Sequence, residues 1–216
     1  MSKIQLLAVS ILPLILAITL HEAAHGWVAN RLGDSTAKML GRLSLNPLRH
    51  IDPVGTILVP MAMFLMSGFI FGWAKPVPVN TRNLKHPRKD MATVAIAGPA
   101  SNLLMAVGWA MIWKIAYLLP ASLAWMAVPM ALMGQVGVLF NLILMALNIL
   151  PIPPLDGSRV LAWLLPPVLA SKLDRMETYG IFIVLGLLFL GLWQYVIRPI
   201  TIFFTTFLTQ LFNLPT

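Results

Sequence analysis

The chain has 216 residues, of which 59% are apolar and only 10% are charged. Soluble domains carry about 25% charged residues, so this composition excludes an ordinary soluble protein and indicates an integral membrane protein. The net charge of +8 comes from basic residues in the loops between apolar segments, which indicates contact with anionic lipid and not with nucleic acid. The chain has no cysteine, which excludes disulfides and thiolate metal ligands.

The first apolar segment, Ile4–Asn30, is long enough for one membrane-spanning helix and contains the sequence His-Glu-Ala-Ala-His. In a helix His21 and His25 lie on one face, so both imidazoles can bind a single metal ion, with Glu22 beside it as a base. Ionisable groups at membrane depth are costly and by default indicate a functional site. The motif therefore predicts zinc hydrolase chemistry; the structural alternative is a pair of core histidines bonded to carbonyls.

The second apolar segment, Val54–Trp73, is interrupted by Pro60 and by Ser67-Gly68, and basic segments precede and follow it. A simple crossing would place one of these basic segments outside the cell. A re-entrant hairpin would keep both inside, and irregular backbone is tolerated at membrane depth where protein buries it. We therefore expect a hairpin that enters and leaves on the cytoplasmic side.

The remaining apolar segments complete an all-α polytopic membrane protein with about four to six transmembrane helices around an intramembrane zinc site. In chain order they are the spans Met91–Leu119 and Ser122–Leu150, a buried half-helix at Leu155–Ala170, a span at Tyr179–Ile197, and an interfacial helix at Ile200–Leu214. We expect one membrane domain over residues 1–216, with a core at about 4–170 and a C-terminal part at 179–216. The basic loops orient the first helix from outside to inside, which places its histidines roughly 9–15 Å from its cytoplasmic end.

A third metal ligand is expected at Asp156, in the sequence Asn148-Ile-Leu-Pro-Ile-Pro-Pro-Leu-Asp-Gly. Three prolines in four residues cannot continue a helix, so the backbone must unwind after the preceding span. Unwound backbone lets an acidic side chain turn back into the helix bundle as a ligand. The alternative is that Asp156 only caps the helix that follows.

With these motifs the chain resembles the site-2 protease family of intramembrane zinc metalloproteases. The likeness rests on the His-Glu-Ala-Ala-His and Asn148-to-Gly157 motifs and on Ala97-Gly-Pro-Ala-Ser-Asn102 in the span between them. The resemblance implies one zinc per chain, bound by His21, His25 and Asp156, with Glu22 as the catalytic base. The chain lacks the PDZ domain of larger members and looks like the compact bacterial or archaeal type, which implies a prokaryotic cell membrane and an active site nearer the cytoplasm.

Asn102 and Asn148 each have two interpretations. A buried asparagine can join two helices by hydrogen bonds, or it can support the substrate by donating to the oxyanion in the transition state. Both interpretations stay open at the level of the sequence.

The expected activity is hydrolysis of peptide bonds within or near transmembrane segments of membrane-protein substrates, after local unwinding of the substrate helix. Two other classes remain: a metal-ion or proton transporter that uses the intramembrane His, Glu and Asp, and an inactive scaffold that binds client helices. The complete set of ligands and base favours the protease. The sequence does not indicate an oligomeric state.

Overall fold

The computed structural model describes residues 3–50, 52–59, 61 and 75–215. These residues form helices and no strand, which confirms the all-α class for this part of the chain. The α-helices are α1 Lys3–Arg31, α2 Thr36–Met39, α3 Pro87–Leu118, α4 Ala124–Asn148, α5 Asp156–Leu164, α6 Pro167–Met176, α7 Gly180–Phe189 and α8 Arg198–Leu211. Two π-helical segments are Pro53–Leu58 and Trp193–Ile197, and short 3₁₀ turns join several of the helices.

Three described helices are long and apolar enough to cross a membrane: Leu7–Arg31 within α1, Pro87–Leu118, and Ala121–Asn148. They coincide, to within a few residues, with the first, third and fourth predicted apolar segments. A fourth span exists if the bent pair Pro167–Phe189 and Trp193–Leu211 counts as one. The described part of the chain thus has three or four such helices, at or below the lower end of the expected number.

The span predicted at Tyr179–Ile197 is not one straight helix, because it breaks between Phe189 and Trp193, and the segments Pro167–Phe189 and Trp193–Leu211 meet at 76°. Gly191 lies at the break with φ +98°, a conformation that glycine adopts without steric cost. The predicted half-helix Leu155–Ala170 is likewise two helices, α5 and α6, separated at Pro166. A residue before proline is driven out of the helical region, so α5 must end there.

The helix bundle is held by close packing of α3 on α4, with α1 against both. Gly137 lets the ring of Trp109 approach, since a Cβ at that glycine would lie 2.3 Å from the ring. Gly134 does the same for Trp113, where a Cβ would lie 2.6 Å from the tryptophan Cβ. Small residues at such contacts are the usual means by which membrane helices pack closely.

The loop after α1 is fixed by a buried carboxylate. Gly33, at φ +115°, ends the helix, and the fully buried Asp34 accepts hydrogen bonds from Thr36, from the Asn80 backbone and from the Asn83 side chain. The segments before and after the predicted hairpin are therefore joined by direct hydrogen bonds.

A second contact joins the same two parts of the chain, because the N–H of Lys75 donates to the carbonyl of His50 at 2.9 Å. The chain thus returns at residue 75 to the place that it left at residue 50. Most of the predicted hairpin Val54–Trp73 lies outside the described residues, so re-entry as such stays a prediction.

Candidate metal centre

The two histidines of α1 lie one helical turn apart and are both buried. Their Nε2 atoms are 3.1 Å from each other, and the rings meet edge to face with centroids 4.7 Å apart. The helical spacing expected from the sequence therefore brings the two nitrogen atoms to one point.

Asp156 reaches this point from a part of the chain 131 positions after His25. The chain unwinds after Asn148, the last residue of α4, and Asp156 is the first residue of α5. Its Oδ2 lies 3.3 Å from the Nε2 of each histidine. The N-cap of α5 is Leu155, so the structure favours the ligand interpretation over the capping one.

The proton positions on both imidazoles follow from their outer hydrogen bonds. The Nδ1 of His25 lies 2.8 Å from the carbonyl of Val94, and the Nδ1 of His21 lies 2.6 Å from Oδ1 of Asn102. Both partners are acceptors, so each Nδ1 carries the proton and donates it. In the neutral imidazole each Nε2 then presents a lone pair.

With both imidazoles neutral, three acceptor atoms meet at this point. The Oδ2 of Asp156 is buried and has no hydrogen-bond partner, which is costly for a carboxylate unless a cation is present. Ligands at about 2.0–2.1 Å from a tetrahedral zinc are separated by about 3.3 Å. The observed separations of 3.1, 3.3 and 3.3 Å fit such a metal, and two imidazoles with a carboxylate are a ligand set that catalytic zinc uses.

The base candidate is held by the backbone of a distant loop. Oε2 of Glu22 accepts a hydrogen bond from the N–H of Val77 at 2.9 Å, and Val77 is buried. Glu22 follows His21 directly in the same helical turn. The carboxylate is close enough to His25 for a Coulombic interaction and has a fixed hydrogen-bond partner in Val77.

Gly98 of α3 makes room for the histidine rings. A Cβ at this position would lie 2.5 Å from Cε1 of both His21 and His25. The Ala-Gly-Pro-Ala-Ser-Asn motif contains this glycine, but the sequence alone does not show that the glycine faces the two histidine rings.

The two asparagines of the sequence-based prediction have different surroundings. Asn102 is fully buried against His21, whereas Asn148 donates to the carbonyl of Leu144 in its own helix. A third asparagine, Asn141 of α4, is also fully buried and accepts a hydrogen bond from Asn102. The sequence analysis missed Asn141; its only signal was an amide side chain in the middle of an apolar span.

Comparison with known proteins finds relatives that share one description. The chain is 41% identical over 190 residues to YwhC of Bacillus subtilis, covering 88% of this chain and 84% of that protein. It is 30% identical to Rip2 of Mycolicibacterium smegmatis over 174 residues and to Rip2 of Mycobacterium tuberculosis over 177 residues. These alignments cover 81% and 80% of this chain but only 64% and 63% of the Rip2 proteins. Each relative is named "putative zinc metalloprotease". No family model and no solved structure matches.

Proposed function

This chain belongs to the family of zinc metalloproteases that includes YwhC, and we propose that it is an intramembrane protease of the site-2 type. In this proposal the chain cleaves peptide bonds within or near transmembrane segments of other membrane proteins. Zinc is the cofactor that the family implies, and His21, His25 and Asp156 are the residues that would hold one ion per chain.

The observation that carries the proposal is the position of the ligand set. His21 and His25 lie inside the apolar helix Leu7–Arg31, and α3, itself long enough to span, packs against this helix. Counted from Arg31 at about 1.5 Å per residue, they are about 15 and 9 Å from the end of the helix. A hydrolytic site at that depth can act on a peptide bond that lies in the bilayer.

The chemistry divides between the metal and the chain. When bound, zinc supplies a Lewis acid that polarises a carbonyl oxygen and lowers the pKa of water. Glu22 then takes the proton from the attacking water and delivers it to the leaving amine. The hydrogen bonds from His21 to Asn102 and from His25 to Val94 hold both rings in the orientation that presents Nε2.

A helical substrate shields its own carbonyls by internal hydrogen bonds, so it must unwind before it reaches the site. The basic loops at residues 31–50 and 75–89 would lie on the cytoplasmic side, where anionic lipid attracts them. Lipid and a transmembrane substrate are the partners in this proposal, and the compartment is a prokaryotic cell membrane.

The test is cleavage by the purified full-length chain in lipid nanodiscs, with zinc measured in the same samples. Glu22→Gln keeps the size of the side chain but removes the base, so zinc content should stay at one per chain. Cleavage should fall by about 10²–10⁴-fold. Glu177→Gln, which alters an exposed carboxylate paired with Arg159, is the matched control and should cleave normally. Undiminished cleavage by Glu22→Gln with zinc bound would refute the mechanism.

The intramembrane part of the proposal needs a separate comparison. One scissile sequence is presented inside a transmembrane helix in the nanodisc and, in parallel, in an unfolded soluble peptide. Preferential cleavage of the membrane-embedded form is expected. Equal or better cleavage of the soluble peptide would leave a zinc metalloprotease that is not intramembrane in its action.

A further inference from the structure

Behind His21, a line of amide side chains crosses the helix bundle from α1 through α3 to α4. We propose that Asn141 acts through Asn102 as a positioning residue for His21, and that this pair sets the affinity of the site for zinc. The inference rests on the proposed metal site, and it assigns a role in that site to a residue of α4 that contacts no metal ligand in the described network.

The direction of every hydrogen bond in this line is fixed at its ends. The Nδ2 of Asn141 donates to the backbone carbonyl of Gly137 at 2.8 Å, so its Oδ1 must face Asn102. The Nδ2 of Asn102 donates to that Oδ1 at 3.0 Å and to the backbone carbonyl of Ala17 at 3.2 Å. Backbone carbonyls cannot donate, so neither amide can be turned around without losing these bonds.

The consequence falls on His21. With both N–H groups of Asn102 committed, only its Oδ1 remains for the imidazole, and it accepts the proton of Nδ1 at 2.6 Å. Asn102 therefore favours the tautomer of His21 in which Nδ1 carries the proton and Nε2 presents its lone pair on the side of Asp156. The proposal places Asn102 behind the histidine and not in contact with the substrate.

Burial makes the arrangement rigid. Both Asn102 and Asn141 are 0% exposed, so water cannot replace a lost partner. A buried amide group that loses its hydrogen-bond partner is destabilised, because nothing replaces the lost bond. Loss of Asn141 would leave one N–H of Asn102 unpaired and free the Asn102 amide to shift, which loosens the His21 ring through one intermediate.

Residues that orient a metal-ligating histidine typically change metal affinity by about 10–100-fold when mutated. Asn102→Leu should weaken zinc binding within that range, since Leu has the same branching and number of side-chain heavy atoms but no acceptor. Asn141→Leu should weaken it toward the lower end of the range, because the acceptor for His21 remains but is less well held.

The experiment is a double-mutant cycle on the full-length chain in detergent, with zinc affinity measured by competition against a chromophoric chelator. The double variant should bind zinc no more weakly than Asn102→Leu alone, because Asn141 has no other route to the ligand. Thr201→Val is the control: it removes another buried hydrogen bond, to the carbonyl of Ile197, and should leave zinc affinity unchanged. If Asn141→Leu does not accumulate in the membrane, Asn141→Ala replaces it. Alanine is smaller than asparagine, so this variant cannot fail through overpacking.

The outcomes distinguish a failure of the role proposed for Asn141 from a failure of the proposed function. A purely structural role of Asn141 would lower the thermal stability of the zinc-free protein and leave zinc affinity as in the parent, which would overturn the proposal. Independent effects of the two variants, multiplying in the double variant, would also overturn it. A parent chain that binds no zinc would instead refute the proposed function.

Discussion

The backbone N–H of Val77 donates a hydrogen bond to Oε2 of Glu22, although the two residues are 55 positions apart. The chain just before Val77 is held in turn by Arg42, whose guanidinium donates to the carbonyls of Lys75 and Pro76 at 2.9 and 3.2 Å. The direction of the Glu22 carboxylate is therefore set by a loop as well as by its own helix. Rigid support of this kind is what a general base needs.

Replacement of Val77 by proline removes the N–H that holds Glu22. Val77 precedes Pro78, so its backbone is already restricted to the extended region that proline also adopts. The loss of one such hydrogen bond is worth about 0.5–1.5 kcal/mol, and kcat should fall by about 2–10-fold. Zinc content should not change. Val77→Ala keeps the N–H and should retain most of the activity; equal activity of the two variants would contradict the role of this bond.

A methyl group at Gly98 should disrupt the metal centre, because its Cβ would lie 2.5 Å from both histidine rings. Overpacking of this kind costs about 1–3 kcal/mol, so zinc affinity should fall by at least about fivefold. Gly108→Ala is the matched control on the same helix, since a Cβ there meets nothing within 4 Å. The measurement is the zinc dissociation constant of each purified variant, and a normal value for Gly98→Ala would show that the rings can move aside.

Asp34 should make the fold sensitive to acid. Burial opposes the charged form, but hydrogen bonds from Thr36, Asn83 and Asn80 outweigh it and lower the pKa of this carboxyl below its ordinary 3.8. A lowered folded-state pKa means that the stabilisation is complete above the unfolded pKa and is lost as the pH falls through the folded pKa. The zinc-free parent should therefore unfold at a lower temperature at pH 3 than at pH 7.

The matching variant is Asp34→Asn, which should be less stable than the parent at pH 7 and should lose less on acidification. Both are measured by thermal unfolding of zinc-free protein, so that loss of metal in acid does not contribute. Asp174→Asn alters an exposed ion pair with Arg159 and should have little effect, as surface pairs usually do. A parental pH response in Asp34→Asn would assign the acid sensitivity to another group.

The contacts between His50 and Lys75 and between Asp34 and Asn80 predict a shared membrane side for the two loops. The chain has no cysteine, so single cysteines at Leu48 and Lys85, both exposed, can be tested cleanly. An impermeant thiol reagent should reach both from the cytoplasmic side only. Leu118, exposed at the other end of α3, should be labelled from the opposite side. Labelling of positions 48 and 85 from different sides would replace re-entry with a crossing.

The convergence of His21, His25 and Asp156 at one point could be predicted from the sequence because the rules behind it are local. The spacing of His21 and His25 follows from helix geometry, and the unwinding before Asp156 follows from proline chemistry. The contact of Asn102 with Asn141 could not be predicted, since it joins side chains 39 positions apart on different helices. An asparagine in an apolar span indicates only that some partner exists.

The same distinction explains why the break within Tyr179–Ile197 could not be predicted from the sequence. Its composition is that of a continuous helix, and a single glycine does not by itself forbid one, since it costs only about 1 kcal/mol relative to alanine. Gly191 has a positive φ at the break, and α8, which follows the break, packs on α4. The composition of a segment indicates its length and polarity, but it does not show which helix the next segment packs on.

The two histidines differ in the group that accepts the proton of Nδ1, and this difference decides whether a mutation can change how each ring is held. His21 is held by a side chain, so a single codon change at position 102 or 141 would alter its environment and offer a graded range of metal affinities. His25 is held by the backbone carbonyl of Val94, which every amino acid at position 94 would also provide. The hydrogen bond that holds His21 can thus be changed by a point mutation, whereas the hydrogen bond that holds His25 depends only on the path of the backbone.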